Sequence, residues 1–360
     1  MASLASFAAL ICNVVVRLLL VSFIAAPDRV NVVALSLSRT SDPQSHVIRA
    51  NSSCEQPLMR TEWRRLSDDQ KDSYIAAVQC MLQKPSVETP AVPAAINRYE
   101  DFVATHVVDI WNAHFVGAFY PWHRGGLPYW DWTLDTASEE VFLSSPIFDA
   151  ARGFGGNGQY VPENLLTPAP TMFLSRPKLA ANRTGGGCLV DGPFAGLSTQ
   201  LGPRDNIQQL GRHCVTRDLG YVYMRNTTDT DQVLGAMDFP NFGIYGNKTE
   251  YSYHSGGHWA IGGEYATMSD MWISPMDPIF FLHHSNLDRA WWSWQTRDLD
   301  ARIRDISGPL FPQDYHNKEG GNYTLDSVIH IGITKPKEVM ISEVMHVQRG
   351  PLCYTFDQLY

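Results

Sequence analysis

The chain has 360 residues, 44% hydrophobic and 18% charged, with a formal net charge of -9 and a pI near 5.7. That much apolar material can bury one large core, and the length leaves room for one or two domains. An acidic chain without a Lys/Arg-rich run is a poor nucleic-acid binder, so small-molecule chemistry is the stronger expectation.

The N-terminus is apolar: ASLASFAALICNVVV at 2–16, then Arg17, then LLLVSFIAAPDRV. The part after Arg17 is too short to span a bilayer, and no stable membrane span is expected. With Ala25-Ala26 it reads as a signal peptide over 1–26, followed by a single domain over 27–360. Sequons at Asn51, Asn182, Asn226, Asn247 and Asn322 fit a secreted, extracellular glycoprotein. Setting Cys12 aside with the signal leaves five scattered cysteines, Cys54, Cys80, Cys188, Cys214 and Cys353. Disulfides are expected from them, with one thiol left free or one partner lost.

LSDDQKDSYIAAVQCMLQKP reads as a helix, because Ser67 and Gln70 have capping-box spacing and Tyr74, Ala77, Val78 and Met81 share a face. INRYEDFVATHVVDIWNAH is helical too, with Phe102, His106 and Ile110 four apart. His114 falls near its end. His123 lies in FYPWHRGGLPYWDW, between Pro121 and Pro128, where no helix can run far. Residues 150–250 are rich in Gly, Pro and Asn and predict long ordered loops. DPIFFLHHSNLDRAWWSWQTRDLDARI is a helix with Phe280, His284, Leu287, Trp291 and Trp294 along one side. After residue 323, alternation in TLDSVIHIGI and EVMISEVMHV predicts a few short strands. The fold class is mainly α with irregular decoration.

The chemistry lies in the histidines. His254 and His258 in HSGGH are four apart and leave one helix face together, so they can share an ion. The zinc-protease motif is excluded, since HExxH needs a glutamate that is absent here. In the doublet His283-His284, adjacent helical residues diverge by about 100°, so one can join that pair. We take His284 as the ligand and His283 as a packing or supporting residue. Asp288, one turn on from His284, is positioned to accept an imidazole N–H and fix a tautomer. His106, His114 and His123 form an upstream trio. Three imidazoles drawn together suit copper, iron or zinc, and copper has the highest affinity.

THVVDIWNAHFVGAFYPWHR, LPYWDW, HSGGHWAIGG and SPMDPIFFLHHSNLDRAWWSWQ resemble the two copper-binding signatures of tyrosinases and catechol oxidases, the type 3 copper enzymes. The likeness is greatest to short secreted fungal polyphenol oxidases and runs from EWRRLS at 62–67 to PLCYTF at 351–356. It implies a binuclear centre of two copper ions in a four-helix bundle within a single copper-binding domain. His106, His114 and His123 would hold the first copper, and His254, His258 and His284 the second. The implied reaction oxidises a small phenolic substrate, an o-diphenol or o-aminophenol, to the o-quinone with dioxygen.

Three departures from that family matter. Asn112 stands where many fungal members carry a cysteine thioether-linked to the second histidine. Ser255 follows His254 where hydroxylating members often have Asn; that position and Glu250 are thought to position a water that deprotonates monophenols. Monophenol hydroxylation is therefore less expected than diphenol oxidation, and a solvated surface acid is an equal reading of Glu250. Third, the family's third histidine begins a long helix, whereas Arg124 runs straight into Gly-Gly-Leu-Pro. Crossing a domain of ~30 Å takes about 20 helical residues, and they are absent. A deletion, by a skipped exon or an error in the gene model, accounts both for this and for the odd cysteine.

Losing a bundle helix is expected to strand His123 on a loop and compromise the first site. A catalytically impaired relative is thus one rival, and a hemocyanin-like dioxygen carrier another, although no tandem repeat is present. A laccase is disfavoured by the lack of an HxH motif.

Overall fold

Ser67 opens the first long helix as its spacing predicts. Its hydroxyl accepts from Gln70 N–H, the Gln70 side chain accepts in return, and the helix runs Asp68–Gln83 (α1). The computed structural model describes residues 54–125, 127–172, 183–209 and 211–360. The expected signal peptide, Cys12, and the sequons at Asn51 and Asn182 lie outside them.

Asn97 caps the second helix, Arg98–Ala113 (α2), through Glu100 N–H. His114 ends it in an extended conformation. A one-turn helix follows, Phe119–His123 (α3). Pro121 is tolerated there because the first turn of a helix has no N–H partners to lose. The expectation of a loop at His123 is therefore corrected: it is the last residue of α3. Among the described residues nothing longer replaces the family's helix; the backbone is already extended at Arg124 and soon reaches Tyr129 and Trp130, whose N–H donates to Leu282 carbonyl.

The described part of 150–220 is mostly loop, held by two short antiparallel pairings, Gly158–Tyr160 with Gly186–Leu189 and Ser198–Thr199 with His213–Cys214, but helices fill the rest of that stretch. Tyr221–Thr227 (α4) is followed by Thr230–Ala236 (α5), capped by Asp229, and Phe242–Thr249 (α6), capped by Asn241. Caps from Asx residues outweigh the loop-like composition. Helix α6 continues through a wide π turn, Glu250–His254, into Ser255–Gly262 (α7). The last long helix, Ile279–Thr296 (α8), is buried at every position except Phe281 and Thr296. A helix apolar on all sides belongs at the centre. Its start is fixed by Asp277, which accepts from Ile279 N–H and is clamped by both arms of buried Arg217 at 2.9 Å.

The strands are short. Leu58–Arg60 (β1) pairs in parallel with Tyr354–Phe356 (β4), and Val328–Ile331 (β2) with Lys337–Met340 (β3) as an antiparallel hairpin. EVMISEVMHV is only partly strand, since Ile341–Val344 is helical. Cys54–Cys353 reinforces the β1–β4 pairing, Cys188–Cys214 ties the central loops, and no described cysteine is free, so the expectation of a loose thiol is not met. One hydrophobic cluster extends from Trp63 to Phe356 through all the long helices. Among the described residues, no helix is long and apolar enough to cross a membrane.

Candidate metal centre

The two histidine groups predicted from the sequence meet in the core. His106 comes from α2, His114 from its end and His123 from α3. Their ring centroids stand 5.0, 5.7 and 4.8 Å apart pairwise. His254 closes the π turn, His258 lies one turn into α7 and His284 faces them from α8. Here the centroids are 4.7, 5.2 and 5.4 Å apart. The groups adjoin: His123 stacks on His284 at 4.5 Å, and His114 lies 6.1 Å from His254. Within each group the ligand-capable atoms lie within 4.8 Å of one another.

Backbone carbonyls set the tautomers. The Nδ1–H groups of His106, His123, His254 and His258 donate to the carbonyls of Trp272, Phe119, Glu250 and Met268 at 2.8, 2.8, 3.1 and 2.8 Å. Each of these rings therefore turns an Nε2 lone pair inward. For His106, His123 and His254 that Nε2 is buried without a partner, as is Nδ1 of His114 and of His284. His258 Nε2 faces His284 Nε2 at 3.2 Å. Two imidazole nitrogens bound at about 2.0–2.1 Å to one ion stand roughly that far apart. A buried acceptor left unpaired costs about 1–3 kcal/mol. The inward Nε2 acceptors of His106, His123 and His254 fit a site built for cations.

His283 is excluded as a ligand by its own bonding. Trp132 Nε1–H donates to its Nδ1 at 3.0 Å, which puts the ring proton on Nε2. Its ring fills the space beneath Gly257, where an added Cβ would come within 2.2 Å of Cε1. The packing reading of His283 holds, and His284 is the doublet member that faces the site.

Burial pushes every one of these imidazoles down, His106 to about 3 and His258 to about 4, with neighbouring imidazoles adding to the effect on His106. His114, His123, His254 and His284 lie well below the ordinary histidine range for the same reason. At neutral pH all six are uncharged, as metal ligation requires.

Two supporting assignments need correction. Asp288 touches no imidazole. It pairs with Arg124 Nε at 2.8 Å and accepts from the Tyr354 hydroxyl, because its carboxylate meets the guanidinium arriving from the end of α3. Ser255 does not turn toward Glu250; its hydroxyl donates to the carbonyls of Tyr251 and Ser252 at 3.0 Å. Nor is Glu250 a surface acid: it is 1% exposed, and its Oε1 accepts from Phe115 N–H at 2.7 Å. That bond stabilises Phe115, which holds φ at 56° directly after His114. Burial raises the Glu250 carboxyl well above its usual range.

Arg124 is a site residue that the sequence reading missed. Fully buried, it donates to Asp288, to the carbonyls of Val344 and Met345 and to Gln295, and lies 4.0 Å over the Trp291 ring. The signal was its place directly after a histidine, opposite an acid one turn beyond another. Phe119 is also unforeseen and lies 4.6 Å from His254, while Phe280, read from the sequence on the same side as His284, packs 4.0 Å from it.

A family model for the common central domain of tyrosinase matches residues 125–297. The tyrosinase-like protein phomQ1 of Diaporthe leptostromiformis is 31% identical, over 84% of this chain and 78% of its own length. N-acetyl-6-hydroxytryptophan oxidase ivoB of Emericella nidulans is 30% identical, over 84% and 93%. A point-mutant polyphenol oxidase from Thermothelomyces thermophila superposes with a TM-score of 0.70 at 27% identity, covering 84% of this chain and 89% of that one. The phomQ1 alignment spans 337 positions but uses only 84% of these 360 residues, so it contains positions that this chain lacks.

Proposed function

The chain belongs to the tyrosinase family of oxidases, and from that premise we propose that it is a two-copper oxidase of o-diphenols or o-aminophenols. His106, His114 and His123 would hold one copper; His254, His258 and His284 would hold the other. The observation that carries this reading is the pair of adjoining trios of buried, neutral imidazoles, in which His106, His123 and His254 each turn an unpartnered Nε2 inward. When bound, the copper pair supplies the electron transfer by which dioxygen is reduced as a diphenol becomes a quinone.

The protein's own part is geometric. Carbonyls of Trp272, Phe119, Glu250 and Met268 hold four rings in one tautomer before any metal arrives, so little reorganisation is needed on binding. Phe119 and Phe280 exclude water and leave flat apolar surface for a phenol ring. Six neutral ligands preserve the full positive charge of the metals, which favours an incoming phenolate.

Diphenol oxidation is preferred over monophenol hydroxylation, because Ser255 is bonded to its own helix and Glu250 serves the Phe115 turn. We read the chain as secreted and glycosylated as well. Asn226 and Asn322 are exposed and Asn247 half-buried, so these sequons reach or approach the surface.

Copper-loaded protein should contain two coppers per chain by elemental analysis and consume oxygen with catechol. The impaired-relative reading is favoured by the abrupt turn after His123. It predicts one copper per chain and no catechol turnover.

A further inference from the structure

A cavity of about 280 Å3 reaches from the surface to the metal centre, with His106, His123 and His284 among its lining. It contacts both trios from the side where the chain turns away after His123. Its walls include Phe102, Phe280, Phe281 and Leu127, and a crevice of about 20 Å3 continues along Phe102, Leu127 and Phe281 toward α1.

Its size and walls suit an aromatic ring with a short substituent. An apolar cavity of about 150 Å3 already admits benzene. Phe280 lies flat against His284, so a ring in the slot meets aromatic surface before it meets the inward nitrogens.

The charges are uneven. Arg98, Lys335 and Lys337 line the cavity, in a chain whose net charge is -9. Two acids also line it, but both are buried and engaged. Glu88 accepts from the N–H and hydroxyl of Thr334, and Asp101 from the N–H groups of Val87 and Glu88, the Ser86 hydroxyl and Arg98. Glu343 lies near Lys337, though its carboxylate accepts from Met340 N–H. The two lysines stand exposed on the hairpin between β2 and β3 and at the start of β3.

We propose that this cavity binds a planar phenol carrying an anionic tail, its ring directed at His106, His123 and His284 and its carboxylate at Lys335 and Lys337. The site rests on the oxidase reading above and adds the substrate class. Ring burial supplies affinity, and the lysines select the tail.

The test uses the full copper-loaded chain with 3,4-dihydroxyphenylacetate, 4-methylcatechol and dopamine as anionic, neutral and cationic probes. In the double variant Lys335→Glu/Lys337→Glu, the ratio of kcat/KM for the anion to that for the neutral probe should fall about tenfold, and the ratio for the cation should rise. Val87→Trp, at the exposed rim, should raise KM for all three. Ratios that do not move with charge overturn the proposal. A separate measurement keeps it distinct from the oxidase reading: phenylacetate, which cannot be oxidised as a catechol, should bind the copper-free protein in isothermal titration calorimetry. The double variant should lose that binding. If no diphenol turns over yet this loss is seen, the oxidase reading fails and the anionic site stands; if binding is absent or charge-independent, the site is refuted.

Discussion

The two halves of the metal centre are built differently. The second trio sits on the π turn that leads into α7, on α7 itself and on α8, where continuous helical winding sets His254 four residues from His258 and α8 is buried almost throughout. The first trio is held by one helix, that helix's end and a single turn. What keeps His123 in place is its bond to Phe119 carbonyl and the buried Arg124 behind it, rather than a helix continuing beyond. The contrast teaches that a ligand can be oriented by a long regular element or by one buried ion pair, and that the second arrangement concentrates risk in few residues.

The largest effect should come from the better-supported half. His284→Ala should remove one copper per chain and abolish catechol oxidation, measured by elemental analysis and oxygen uptake. A retained pair of coppers would break the assignment.

Next comes the clamp of the weaker half. Arg124→Met leaves Asp288 buried with the Tyr354 hydroxyl but without its guanidinium, and breaking a buried ion pair costs about 3–5 kcal/mol. Urea unfolding should register that loss, and copper in the first site should fall with it. Adding Asp288→Asn should restore part of the stability, since the uncompensated charge is then gone. An unchanged midpoint in the single variant would show that α3 needs no clamp.

Acid sharpens the comparison for both halves together. Their imidazoles are pushed down by burial, so between pH 6.5 and the folded-state values the unfolded chain binds more protons than the folded one. Stability of the copper-free protein should therefore fall as pH drops below about 6.5. For His258, held down to about 4, that contribution is lost progressively from the ordinary histidine range downward. Urea midpoints at pH 7, 6 and 5 would check it.

The smallest effect is steric. Gly257→Ala would drive a methyl into His283, and overpacking of this kind costs about 1–3 kcal/mol. It should weaken the second site with little change at the first.

Much of this was legible in the sequence. Periodicity located α1, α2 and α8, and capping or entry residues marked the starts of α1 and α8, because Ser67, Gln70 and Pro278 act locally. The His254–His258 pair was legible because spacing within a helix dictates direction, whereas His106, His114 and His123 were assigned together from the family resemblance. What the sequence hid was long-range: that Asp288 would meet Arg124 instead of an imidazole, that carbonyls of Trp272 and Met268 would set tautomers, and that Glu250 would be buried under Phe115. Each depends on which segments pack together, and no local pattern encodes that. The abrupt passage from Arg124 to Leu127 was visible at once; that three rings would still assemble around it was not.

The parallel pairing of Leu58–Arg60 with Tyr354–Phe356, covalently sealed by Cys54–Cys353, makes the molecule a closed hoop. A protease that nicks the glycine- and proline-rich loops would open the hoop at one point without releasing either piece. Such a clipped form would migrate as an intact chain until a reductant is added, and its two fragments would remain docked through the shared core.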